Sequence, residues 1–214
     1  MSQEDVVHEL LVRAGTGYAE EAGITLEDKP SALFQLLMLA QLLSTRIAAE
    51  IAVAAARELI ANGYRTPHRV ADADWQELVD VLDRAHYVRY DESAATRLGA
   101  NASRVLDRYH GDLRELAKKA DNDPKRAAEL LQEFQGIGAT GSDIFLREVQ
   151  DIWTWVRPYF DERALRGAKR VQLPEDPARL GDLAPDHHTA DLAAALVRVT
   201  LDEKIADDVL ASAP

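Results

Sequence analysis

The chain has 214 residues, 47% of them apolar and 29% charged, enough for one good hydrophobic core or two small lobes that share one. It contains no cysteine, which excludes disulfides, thiolate iron–sulfur clusters, cysteine-zinc sites and cysteine nucleophiles. The formal net charge is −12, which opposes phosphate binding, and no strictly apolar run, residues 36–40 among them, exceeds six residues, far too short to span a bilayer.

The charge is unevenly spread. Residues 1–30 hold seven acids and two bases. No secretory pattern shows there, so a cytoplasmic location is expected, with no membrane association. Residues 31–70 carry four bases against two acids, and residues 153–170 carry five against two. A basic face on an acidic body is therefore feasible, with weak, salt-sensitive binding to any polyanion.

Helical periodicity runs almost throughout, and no stretch alternates like a strand. A helix is predicted from Ser31, with Leu33, Leu36, Leu37, Leu39, Ala40, Leu43, Ile47 and Ile51 around much of its circumference, ending at Asn62-Gly63. Asp74 reads as an N-cap for a helix over 75–82, with Glu77 in capping-box position. The next helix spans 93–109 and stops at His110-Gly111. Asp123-Pro124 is a helix start that leads through Ala127, Leu130 and Leu131 to Phe134. A helix from about 141 to 155 follows, then a short one over 161–168. Residues 173–185, with three prolines, read as a loop-rich connection, and 188–210 as a final helix or helix pair.

Residues 131–146, LQEFQGIGATGSDIFL, thus read as helix, tight turn, helix. Gly136 and Gly138 flank Ile137. Glycines permit positive φ and leave a surface that a backbone can approach. The second helix begins at once, so its free N–H groups and positive dipole end lie beside the turn. Ile137 and Phe134 are expected to lock the turn to the core, and Ser142 to let the helices approach closely. Such a turn makes a phosphate-sized anion site with few basic side chains; it is equally a plain connector between packed helices.

Three blocks together resemble the endonuclease III-like, helix-hairpin-helix superfamily of DNA glycosylases. The first is the turn with Leu131, Phe134, Gly136, Ile137, Gly138, Ser142 and Leu146. The second is LLMLAQLLSTRIA (36–48), and the third DRAHYVRYDESAATRLGANASRVLDRYHGDL (83–113). The resemblance covers about residues 31–161. It implies an all-α, two-lobed helical DNA glycosylase fold with a helix-hairpin-helix motif. One lobe would be a six-helix domain over 30–150, with the motif at about 124–155, and the other would join 1–29 to 151–214. It further implies duplex DNA, damaged or abasic, as partner; separately, a monomer without cofactor or metal is expected. Its glutamine that reaches into the duplex falls on Gln41. DNA contacts fall on Gln135, Gly136, Ile137, Gly138 and Thr140, with Lys125 on the helix before the turn.

The chain departs from that pattern where the family does chemistry. Its bifunctional members carry a lysine two residues after the second turn glycine, and here that position is Thr140. A Schiff base needs an amine, so lyase chemistry is excluded while glycosylase chemistry is not. The family aspartate falls on Arg157 or Pro158; Asp161 comes three or four residues later and reads also as an N-cap. The family's C-terminal cysteines are absent. Three readings result: a DNA-binding relative without the usual base-excision chemistry, in which Arg157 favours phosphate; a monofunctional glycosylase using Asp161 or Asp143; and a helical protein-interaction module suited to the acidic charge.

Other residues invite competing assignments. His187-His188 reads as a solvated helix start rather than a metal site. Trp153 and Trp155 suit core packing better than base stacking. Lys118, Lys119, Lys125 and Arg126 are interleaved with acids. Tyr87 and Tyr90 lie in the block that resembles the damaged-base pocket.

Overall fold

The computed structural model describes residues 2–212, and every regular element among them is a helix. The chain divides into two compact units. A central unit comprises Ala19–Phe145; a terminal unit joins Met1–Tyr18 to Leu146–Pro214. Among the described residues no helix is long and apolar enough to cross a membrane.

The central unit opens with the single turn α2 (Tyr18–Glu21), which follows α1 (Gln3–Ala14) in the chain. Then α3 (Pro30–Leu43) starts on a first-turn proline and buries every side chain from Ala32 to Leu42 except Gln35. A helix apolar all round belongs in a core, and α3 is one. The single long helix predicted to Asn62-Gly63 is two helices: α3 stops at Leu43, and α4 (Ala49–Ala61) restarts after residues 44–48. The last turn of α3 tightens: Ser44 N donates to the Gln41 carbonyl at 3.2 Å and Thr45 N to Leu42 at 3.4 Å, three residues back instead of four, as at a helix end. Ser44 Oγ donates to the Ala40 carbonyl at 2.6 Å and Thr45 Oγ1 to Leu42 at 2.9 Å. Ala48 then turns extended before α4. Gly63 does take up the left-handed conformation after α4, with φ +90°.

Next come α5 (Pro67–Ala71) and α6 (Trp75–Arg84). Asp74 caps α6 through Gln76 N and Glu77 N, worth about 1 kcal/mol for such a cap. Glu77 makes a different bond from the one expected of it, accepting the Tyr64 hydroxyl at 3.1 Å. The long α7 (Asp91–Tyr109) ends where His110 turns left-handed at φ 53°. It packs on α3, α5 and α6. After α8 (Arg114–Lys119), Asp123 caps α9 (Pro124–Gln132) by accepting Lys125 N at 2.9 Å. The turn follows, then α10 (Ala139–Val149), within which the unit boundary falls.

In the terminal unit α10 ends at Val149, sooner than the predicted 155. Buried Gln150 clamps the chain that follows: Nε2 donates to the Tyr159 carbonyl at 3.0 Å and Oε1 accepts Tyr159 N at 2.8 Å. Next are α11 (Glu162–Arg170) and α12 (Pro177–Leu183), the latter inside the stretch expected to be loop. Asp176 accounts for it, capping α12 at Arg179 N with Pro177 in the first turn. The pair α13 (Thr189–Leu201) and α14 (Glu203–Ser212) completes the unit. Val6, Val7 and Leu10 of α1 share a core with Phe160, Leu192, Leu196 and Val199.

Candidate nucleic-acid interface

The turn between α9 and α10 is built on two buried anchors. Phe134 and Ile137 are 2% and 4% exposed, and Ile137 N donates to the Phe134 carbonyl at 3.1 Å. Gly136 closes the turn at φ +80°, the region that excludes most side chains. Gly138 was expected to need the same freedom, but only Gly136 takes it. A Cβ added at Gly138 would meet nothing within 4 Å. Gln135, Gly136, Gly138, Ala139 and Thr140 form an exposed rim. The first N–H groups of α10, from Ala139 to Gly141, have no acceptor within the helix; the first such bond is Ser142 N to the Gly138 carbonyl, 3.0 Å.

A buried amide pair braces the turn from inside. Asn101 Oδ1 accepts Gln135 N at 2.8 Å, and its Nδ2 donates to the Gln135 carbonyl at 2.9 Å and to Gln41 Oε1 at 2.7 Å. Gln41 Nε2 donates in turn to the Ala94 carbonyl at 3.3 Å. Gln41, expected to reach into a duplex, is 3% exposed with both ends of its amide engaged. Its place on the core face of α3 explains the correction. It shapes the turn through Asn101 and presents nothing to a ligand.

Three other segments converge on the turn. A Cβ at Gly141 would lie 2.3 Å from Ser44 Oγ, so α10 begins against the α3–α4 loop, with exposed Arg46 two residues on. The Tyr87 hydroxyl ties that loop to residues 85–90, 2.6 Å from Thr45 Oγ1 and donating to the Leu42 carbonyl at 2.9 Å. Burial pushes the Tyr87 phenol above its ordinary value, the Thr45 bond and the Arg97 charge pulling the other way. Arg97 of α7 lies across the turn: a Cβ at Gly136 would be 2.9 Å from its Cδ and 3.3 Å from one terminal nitrogen. Half-buried Arg97 forms no ion pair among the described residues, nor do exposed Arg46 and Arg89, the last lying 5.3 Å from the Tyr90 ring centre.

No known protein family and no curated protein matches this chain. A solved structure of a trapped endonuclease III–DNA covalent intermediate, an estranged-adenine complex, is similar. It is 14% identical, with 93% of this chain and 86% of that chain covered and a TM-score of 0.48.

The remaining expected site residues lie apart from the turn. Lys125 stands in the first turn of α9, at the end of that helix away from the turn. Asp161, in the terminal unit, caps α11 by accepting Ala164 N at 2.8 Å and pairs with Arg147. The two side chains are 7% and 3% exposed, and both carboxylate oxygens are engaged. Its position is that of a structural cap and counter-ion. Arg157, expected to offer phosphate a free cation, is paired with Asp151 at 3.3 Å, and Asp151 also accepts Ala190 N at 2.8 Å near the start of α13. Asp143 is half-buried on α10. His188 Nδ1 lies 2.6 Å from an Asp191 oxygen, an acidic partner that was not expected.

Two contributors escaped the sequence reading. Asn101 left a signal: it is a polar residue on the buried stripe of α7 that includes Ala94, Leu98 and Val105. Arg97 left none, since its helix position alone does not say which segment it will cover.

Proposed function

We propose that this chain binds duplex DNA by its phosphate backbone at the 134–141 turn, as a relative of the endonuclease III-like glycosylases without their Schiff-base lyase chemistry. The observation that carries the reading is the pairing of an open Gly138 with the uncommitted guanidinium of Arg97 across Gly136. A phosphate oxygen set against Gly138 would receive N–H groups from the first turn of α10. The positive end of that helix and the Arg97 charge would balance it. Only a residue without a side chain lets a strand come that near. Exposed Thr140 brings a hydroxyl where an amine would be required for covalent capture of an abasic sugar.

The net charge of −12 sets the strength. Non-specific contacts of this kind give dissociation constants of roughly 10⁻⁴–10⁻⁶ M, and an acidic body holds the value at the weak end. The test is fluorescence anisotropy with a short duplex carrying an abasic-site analogue, against the undamaged duplex, at about 50 and about 200 mM salt. Binding that falls with salt and is lost in Gly138→Glu is the expected result. No binding at the lower salt overturns the reading and turns attention to protein partners. Release of a free base from a damaged duplex would overturn the loss of base-excision chemistry.

A further inference from the structure

One face of α7 carries a row of cations that continues away from the turn. Arg97, Arg104 and Arg108 fall within about 40° of one another around the helix and span about 16 Å along it. Asn101, on the same side, holds the turn, and Tyr109 stacks on Phe134 with ring centres 6.0 Å apart. Lys119 extends the row from α8: its Nζ donates to the Arg108 carbonyl at 2.6 Å and lies 4.7 Å from the Tyr109 ring centre. A single carboxylate engages two of these arginines. Glu133, the C-cap residue of α9, receives Arg104 at 3.2 Å and Arg108 at 3.5 Å through one oxygen. The three side chains are 35%, 61% and 41% exposed for Arg104, Arg108 and Glu133. Exposed pairs of this kind are weak and readily exchanged for another anion.

We infer that this row is a phosphate track that carries one strand of duplex DNA away from the turn, and that Glu133 occupies it in the free protein as an internal competitor for phosphate. The inference rests on the DNA-binding reading above. Its length equals about five base-pair rises of about 3.4 Å along the duplex axis, enough for the row to meet more than one phosphate of a strand. Arg97 at one end belongs to the turn, so the track and the turn would hold successive phosphates of the same strand. A strand that enters the row displaces Glu133 and frees two guanidinium groups at once. Glu133 thereby lowers affinity for every polyanion and leaves the turn as the point where binding begins.

The experiment is a salt titration of duplex binding, by anisotropy, for the full chain and four variants. Glu133→Gln is expected to bind roughly three- to tenfold tighter at low salt, a gain that misfolding cannot produce. Glu129→Gln changes net charge equally but removes only the partner of Arg126 on α9; it is expected to change affinity less than twofold. Arg104→Ala with Arg108→Ala is expected to reduce the slope of log K against log salt by about two. Equal gains in Glu129→Gln and Glu133→Gln would overturn the competitor role. An unchanged slope in the double variant, with binding still lost in Gly138→Glu, would overturn the track and leave the turn standing. No binding by either the unaltered chain or Glu133→Gln would overturn both.

Discussion

A side chain added at Gly167 would place its Cβ 1.9 Å from the Leu196 carbonyl oxygen, whereas one added at Gly138 would meet nothing within 4 Å. The first glycine lies in the terminal unit, where α11 meets α13 backbone to backbone. The second lies in the central unit, on the exposed rim between α9 and α10. Arginines divide the same way. Arg147 is buried against Asp161, while Arg97 lies half-buried across the turn without an ion pair among the described residues. Packing accounts for Gly167, and the pairing with Asp161 for the Arg147 charge. It does not account for a Gly138 whose φ is ordinary and whose surroundings are empty. Residues that the fold does not need are where an outside partner is to be sought.

That contrast can be broken most forcefully at α11. Gly167→Ala forces two rigid helix backbones apart and should cost about 3 kcal/mol or more. In thermal unfolding followed by circular dichroism this is a fall of roughly 6–12 °C for a chain of this size. A change of a degree or less would mean that the seam is looser than the contact distance implies. Asp161→Asn comes next. Asparagine still caps α11, so the loss isolates the ion pair, and leaving the Arg147 charge buried without its carboxylate should cost about 3 kcal/mol in a urea titration. Adding Arg147→Met should recover part of it; a double variant no more stable than the single one would show that the pair is not what matters there.

Gly138→Glu sharpens the comparison from the other side. Stability should stay within about 0.5 kcal/mol of the parent, because the new side chain enters open space. Duplex affinity should fall at least tenfold, about 1.4 kcal/mol, and a loss of stability equal to that would place Gly138 with Gly167 after all. The smallest effect is expected at Asp112. Burial pushes its carboxyl up, but the hydrogen bonds from the Arg114 side chain and backbone outweigh burial and hold it below its ordinary 3.8. A depressed carboxylate contributes stability that is fully present above the unfolded value and lost as pH falls through the folded one. Asp112→Asn should therefore lower stability by less than about 1 kcal/mol at neutral pH, with the difference vanishing below pH 3.8. A difference that persists at lower pH would point to packing instead of charge.

The helical class and several helix starts were legible because they depend on local chemistry. Asp74, Asp123 and Asp161 each cap the helix that follows them, and Pro124 sits in a first turn, as a cap-and-proline pattern requires. The break between α3 and α4 was not legible. Its apolar pattern runs on, and the last turn tightens at Ser44 and Thr45 with no glycine or proline to announce it. In the candidate site the turn itself could be read from Phe134, Gly136 and Ile137. The inward commitment of Gln41 could not, because it depends on Asn101 sixty residues away. Nor could the approach of Arg97 to Gly136, which tertiary packing alone decides.

The terminal unit is assembled from chain segments that are synthesised far apart in time. Helix α1, with Val6, Val7 and Leu10 on its buried side, packs against α13 and α14. At about 5–20 residues per second, α13 follows α1 from the ribosome by roughly 10–35 s. The central unit is continuous and can close on itself within that interval. Until α12, α13 and α14 are made, the apolar stripe of α1 lacks the helices it packs on, so the nascent chain presents a short amphipathic helix to chaperones, to membranes and to its own folding neighbours. Helices α13 and α14, made long after α1, retire that hazard. Ribosome profiling with bound chaperone should therefore find its occupancy high from the emergence of α1 until the codons for α13 and α14 have been read.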